Sequence, residues 1–231
     1  MLASSSPVPI HPPESLRHYL SGKFKEIEQR GDNIISLKTN IPYLFKGITS
    51  PNEFSGPLVE AWAHIQLAKC FEEYKPAVAG RQEFADASAE YQGQRILINI
   101  KAKAREMENK SRINLSSLGR YREHYSKSNP SAFYILVCQY QWHVSENELK
   151  IVIEEFKYVF NLLDIPPANF RLEGAFEGSY RVFIAPIPPE AMIESTTYST
   201  MSPSEFLQIL EQRKIVYDNN KRSRGITRNR T

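Results

Sequence analysis

The sequence predicts an α/β protein, a central mixed β-sheet flanked by helices, and three stretches carry that expectation. Apolar residues recur at helical spacing through 14–30 and again through 57–74. Two candidate strands, 81–90 and 95–103, flank the turn pair Gln92-Gly93 and suit a hairpin. Residues 132–140 (AFYILVCQY) are almost wholly apolar, which predicts a strand buried on both faces and therefore central. Helices alternating with strands in this order imply a mixed sheet with helices packed on it.

Taken in order, the first helix is marked by the stripe Leu16, Tyr19, Leu20, Phe24 and Ile27, and Gly31-Asp32-Asn33 ends it. The second starts with Ser55 as cap and Pro57 in the first turn. It carries Leu58, Ala61, Trp62, Ile65 and Phe71 at roughly helical intervals up to Tyr74, and Lys75-Pro76 closes it. After the hairpin, 112–126 reads as a helix, because Leu115, Leu118, Tyr121 and Tyr125 fall three or four apart; Asn129-Pro130 breaks the chain. Residues 146–163 divide into a short strand over 149–153 and a helical turn over 156–163. Residues 180–184 form a strand that Pro186, Pro188 and Pro189 stop. A last helix covers 202–214, where Ser202 caps, Pro203 opens and Glu205 completes a capping box. Three regions follow: a Ser- and Pro-rich loose arm over 1–13, one domain over 14–218, and a basic tail over 219–231.

Composition is that of a globular chain: 231 residues, 41% hydrophobic and 24% charged. No run of about 18 apolar residues exists to span a membrane. The first residues lack the basic and apolar regions of a secretory leader. Cys70 and Cys138, each in apolar surroundings, read as free thiols of a reducing cytoplasm, and no zinc-ligand spacing occurs. Net charge is only +3, but it is unevenly spread. Nine bases against three acids lie between Arg95 and Lys127, and five bases with no acid lie between Lys221 and Arg230. Such stretches favour a polyanion as partner.

The hairpin carries the chemistry. Asp86 and Asn99 are 99 − 86 = 13 residues apart, enough for a short strand, a turn and a return strand that sets them side by side. A strand period of two puts Asn99 and Lys101 on one face, with Ile98 and Ile100 on the other. Phosphodiester hydrolysis needs an ionised water and neutralisation of charge at phosphorus, and Mg²⁺ held by hard oxygen ligands supplies both. The Asp86 carboxylate, the Asn99 amide oxygen and the Ile100 carbonyl are candidate ligands. Lys101 is placed to stabilise the transition-state charge. Glu60, on the preceding helix, is the candidate second acid, with Glu83 and Glu90 behind it. His64, one turn beyond Glu60, reads as structural, and Trp62, Tyr121 and Tyr125 read as packing residues.

Asp86, the 13-residue step, Ile96-Leu97-Ile98-Asn99-Ile100-Lys101-Ala102-Lys103, and the segment Asn114-Leu115-Ser116-Ser117-Leu118 ahead of AFYILVCQY together resemble the catalytic core of type II restriction endonucleases of the PD-(D/E)xK superfamily. The resemblance covers residues 55–142. It implies a restriction-endonuclease-like core, Mg²⁺-dependent cleavage of both strands of duplex DNA that leaves 5′-phosphates, and a homodimer. By position Asp86 matches the first acid, Asn99 the second acid, Lys101 the lysine and Glu60 the acid of the preceding helix. Lys103, Arg105, Arg112, Arg120, Lys221, Arg222 and Arg224 would then bind DNA phosphates. Two positions depart from the pattern: Ala85 stands where it has Pro, and Asn99 where it has a carboxylate. An amide offers an oxygen but no charge, and so weakens a Mg²⁺ site. Three readings of Asn99 stay open: a native enzyme leaning on Glu60, an enzyme inactivated by substitution, or a relative that binds without cutting.

Overall fold

A computed structural model of the chain describes residues 13–39, 52–77, 84–105, 112–175, 179–187 and 200–228. Of the expected arm over 1–13, residues 1–12 lie outside them and Pro13 begins the first helix; Glu83, Pro188, Pro189 and Arg230 also lie outside. Helix α1 (Pro13–Gln29) leads to strand β1 (Ile34–Lys38), then to helix α2 (Asn52–Cys70) and the short β2 (Lys75–Pro76). The hairpin β3 (Ala87–Tyr91) and β4 (Gln94–Ala104) follows, then β5 (Ile113–Ser117), α3 (Leu118–Tyr125), β6 (Ala132–Val144) and β7 (Glu148–Asn161). Strands β8 (Phe170–Gly174) and β9 (Tyr180–Ile184) precede the last helix, α4 (Pro203–Arg228).

Six strands form a mixed sheet in the order β1-β7-β6-β4-β3-β2, with β4 and β6 parallel and the other pairs antiparallel. Strand β6 is central, and all of its residues from Ala132 to Tyr140 are buried. Its alternation divides the protein into two cores. Tyr134, Leu136, Cys138 and Tyr140 enter one with α1 and α2. Phe133, Ile135 and Val137 enter the other with α3, α4 and a second sheet, β5-β9-β8. Among the described residues no helix is long and apolar enough to cross a membrane.

Several elements depart from the sequence expectation. The first hairpin strand begins at Ala87, and residues 84–86 form a bend instead. The expected helix over 112–126 is half strand. Ile113 and Leu115 alternate inward against β9, and only 118–125 is helical. The expected short strand and helical turn of 146–163 are one 14-residue strand, β7. Two register shifts against β6, at Val137/Cys138 and Gln139/Tyr140, leave Lys157 and Glu154 as extra residues. Each bulge turns a step of two into a step of three, so the inward residues Ile153, Phe156 and Val159 mimic helical spacing. Helix α2 begins at Asn52 rather than at Ser55, and it ends at Cys70. Pro57 therefore sits inside the helix, and buried Ser55 bonds the Tyr140 hydroxyl at 2.8 Å instead of capping. The capping box of α4 forms as its residues demand. Ser202 Oγ accepts from the Glu205 N–H at 3.2 Å, and Glu205 accepts from the Ser202 N–H at 2.7 Å. The helix continues through Arg228, so the backbone of 219–228 is helical.

Candidate active site

The site follows from unequal strand lengths. Strand β3 stops pairing at Ala87↔Ile98, and the Asp86 N–H makes one more bond, to the Ile98 carbonyl at 3.0 Å. Strand β4 runs six residues further, to Ala104. On the β3 side its next N–H groups belong to Ile100 and Ala102, since backbone groups alternate sides along a strand. Two carboxylates take the place of the missing strand. Asp86 Oδ2 accepts from the Ile100 N–H at 2.7 Å, and Glu60, reaching across from α2, accepts from the Ala102 N–H. The Lys101 ammonium bridges what remains, 2.9 Å from the Ile100 carbonyl oxygen and 3.5 Å from Asp86 Oδ2. Asp86, Glu60, Ile100 and Lys101, four of the residues singled out in the sequence, thus meet at one edge.

The bend that presents Asp86 is anchored two residues earlier. The Phe84 ring lies 5.0 Å from Tyr121, 4.8 Å from His124 and 4.8 Å from Phe133, so the α3 face pins the segment before the carboxylate. On the far side the Asp86 carbonyl accepts from the Ala77 N–H at 2.8 Å.

Electrostatics are set mainly by burial. Desolvation pushes the Glu60 carboxyl above its ordinary range; the positive charge of Lys101 opposes this, and the negative charge of Asp86 adds to it. His64, one turn beyond Glu60, bonds the Tyr74 hydroxyl through Nδ1 at 2.5 Å. Burial lowers the His64 imidazole and raises the Tyr74 hydroxyl, and both feel the Asp86 charge. His64, which the sequence places one turn beyond Glu60 and reads as structural, thus pairs with Tyr74 at the margin of the site, and Tyr74 is the residue the sequence did not single out.

Asn99 is buried, 8% exposed, and its Oδ1 has no hydrogen-bond partner. It sits one residue before Ile100 with unmet acceptor capacity, and an unpaired buried oxygen is costly. Asp86, Glu60 and the Ile100 carbonyl offer the oxygens that a hard cation takes, whereas the Asn99 amide oxygen makes no hydrogen bond to any of them. Among the described residues no cluster of three or more His, Cys, Asp or Glu side chains is arranged to hold a metal. Only two carboxylates meet here, and the remaining oxygens are neutral. Glu90 lies opposite Arg95 near the far end of the hairpin and does not join them.

Basic residues are spread over several surfaces. Lys101, Lys103 and Arg112 line one cleft of about 270 Å³, walled by Val137 and Tyr140, with Asn114 at its rim. Arg112 is held by Glu173 through two bonds of 2.7 and 2.6 Å, and Arg105 by Glu154 at 2.9 Å. Arg120 borders a separate cavity on α3 with Phe84, His124 and Lys127. Lys221 is exposed on α4; the Arg222 and Arg224 side chains lie outside the described residues. No protein-family model and no curated protein matches the chain.

Proposed function

We propose that the chain is a Mg²⁺-dependent, site-specific deoxyribonuclease of the type II restriction kind. In this reading it cuts both strands of duplex DNA at a short sequence, leaves 5′-phosphates and acts in the cytoplasm. The observation that carries the reading is the meeting of Asp86, Glu60 and Lys101 where β4 outruns β3. Asp86, the Ile100 carbonyl, Asn99 and Glu60 would hold Mg²⁺, which supplies a polarised water and charge neutralisation at the phosphate. Lys101 places a positive charge to meet the negative charge that grows on the phosphoryl oxygens. Burial raises the Glu60 carboxyl and the Lys101 charge opposes this, so Lys101 favours the carboxylate form that would hold the metal. One such site cuts one strand, so a two-fold homodimer on a palindromic sequence completes the double cut.

Asn99 favours a second reading, a DNA-binding protein of the same fold without catalysis, because the site holds only two carboxylates. One experiment separates the two. The chain and its Asn99→Asp form are incubated with mixed plasmid DNA and Mg²⁺. Discrete bands from the native chain establish an active enzyme that uses Asn. Bands from the Asn99→Asp form alone show that Asn99 disables it, and bands from neither leave the binding protein.

A further inference from the structure

The small sheet turns one face inward, with Ile113, Leu115, Phe170, Leu172, Val182 and Ile184 in the second core. Strand alternation then puts Asn114, Phe183, Arg171 and Glu173 on its outer face. Arg112, just before β5, lies over the Phe183 ring with its guanidinium carbon 4.0 Å from the centroid. Its two terminal nitrogens hold both oxygens of Glu173 on β8, spanning the whole sheet, and its Nε donates to Asn114 Oδ1 at 2.8 Å. The last bond decides the orientation of the Asn114 amide. With Oδ1 turned to Arg112, the Nδ2 group turns away and keeps both hydrogens, and Oδ1 keeps its second lone pair. Asn114 is exposed and stands on the rim of the cleft that also holds Lys101 and Lys103.

An exposed amide is ordinarily free to rotate, and ordering it costs side-chain entropy. Here an ion pair stacked on an aromatic ring fixes it before any ligand arrives, in the cleft that Lys101 also lines. A fixed amide with donors outward and one acceptor lone pair complements the N7 acceptor and N6 donor that adenine shows in the major groove. We propose that Asn114, oriented by the Glu173–Arg112 pair, reads an adenine edge in the DNA major groove and so helps to set the sequence that the protein recognises. This rests on duplex DNA being the occupant of the cleft, as in the function proposed above.

The test selects bound duplexes from a random-sequence library with the full chain in Ca²⁺, so that no cleavage is needed. The native chain should enrich one sequence with adenine at a position in each half-site. Asn114→Ala should lose discrimination there by about 10- to 100-fold, the range that one good bidentate base contact supplies. The other positions and the salt dependence of binding to random DNA should be unchanged. Asn114→Asp, which replaces donors by acceptors, should move the preference at that position toward cytosine, whose N4 donates. Glu173→Gln, which loosens the amide, should blur the same position and no other. An Asn114→Ala protein that selects the native sequence with undiminished discrimination overturns the assignment, as does a native chain that binds no duplex. A native chain that selects a sequence, when neither it nor its Asn99→Asp form cuts in Mg²⁺, defeats the nuclease reading alone, and the Asn114 variants then decide the base contact by the same selection.

Discussion

At the scale of single residues, the site is a patch of backbone that a strand left unpaired and two carboxylates and a lysine filled. Lys101 makes only a partly exposed ion pair with Asp86 at 3.5 Å, of a kind that contributes ~0–1 kcal/mol. Lys101→Ala should therefore melt close to the native chain, bind DNA almost as well, and cleave ~10²–10³-fold more slowly. A cleavage assay beside a thermal melt checks all three. Glu60 gives a prediction of opposite sign. Burial raises its carboxyl in the folded chain, so the folded state favours the protonated form. The stabilising balance is present below the ordinary glutamate range and is lost as pH rises through the raised value. Glu60→Gln should then melt higher than the native chain at pH 7, with the gain vanishing near pH 4, while cleavage falls. Melting curves at the two pH values decide this, at roughly 2–4 °C per kcal/mol for a chain of this size.

Among the elements, those with local signals formed as their sequences require. Ser202 and Glu205 exchange hydrogen bonds at the start of α4, and the bonds from Ser202 hold the Glu205 carboxyl below its usual range. That contribution is present above the ordinary glutamate pKa and is lost as pH falls through the depressed one. Ser202→Ala should cost about 1 kcal/mol, as loss of an N-cap does. The melting temperature should drop by about 2–4 °C at pH 7, with a smaller drop in acid. Elements without local signals went elsewhere. In β7 the bulges at Glu154 and Lys157 gave inward residues a step of three. Only the length of β6 beside it, with eleven paired residues, draws the whole segment into one strand. In 113–117 a strand hides inside a helical spacing because β9 offers a partner that the local sequence does not reveal.

For the whole molecule, the central sheet divides two cores and leaves one end of β4 without a strand on its β3 side. The last helix runs beyond those cores. Among its described side chains Leu210 is the last fully buried one, and Ile215 and Val216 are 60% and 53% exposed. Its basic end is helical in backbone from Lys221 to Arg228. If it follows DNA phosphates, each neutralised phosphate adds about 0.9 to the slope of log affinity against log salt on duplex DNA. Ending the chain at Asn220 should make that slope shallower and weaken specific and random DNA binding by similar factors. The selected sequence should stay the same. Binding titrations over a salt series, with the library selection above, distinguish this from a tail that binds nothing or one that reads bases.

The sequence by itself determined the α/β class, helices α1 and α2, the hairpin, the buried central strand and the capped start of α4. Each is written in residues close together in the chain, where period, caps and turn pairs act directly. It also points to Asp86 through the 13-residue hairpin step, to Lys101 through the strand period, to the Ile100 backbone carbonyl between them, and to Glu60 as an acid on the preceding helix. Tertiary structure alone decided that β3 stops at Ala87 and opens the β4 edge, which follows from pairing and not from the residues of either strand. It alone brought His64 and Tyr74 toward Asp86, and it alone built the second sheet from strands β5, β8 and β9. The Glu173–Arg112–Asn114 network is the clearest case. Its acid and its base are 61 residues apart, and no local period connects them until β9 pairs between β5 and β8.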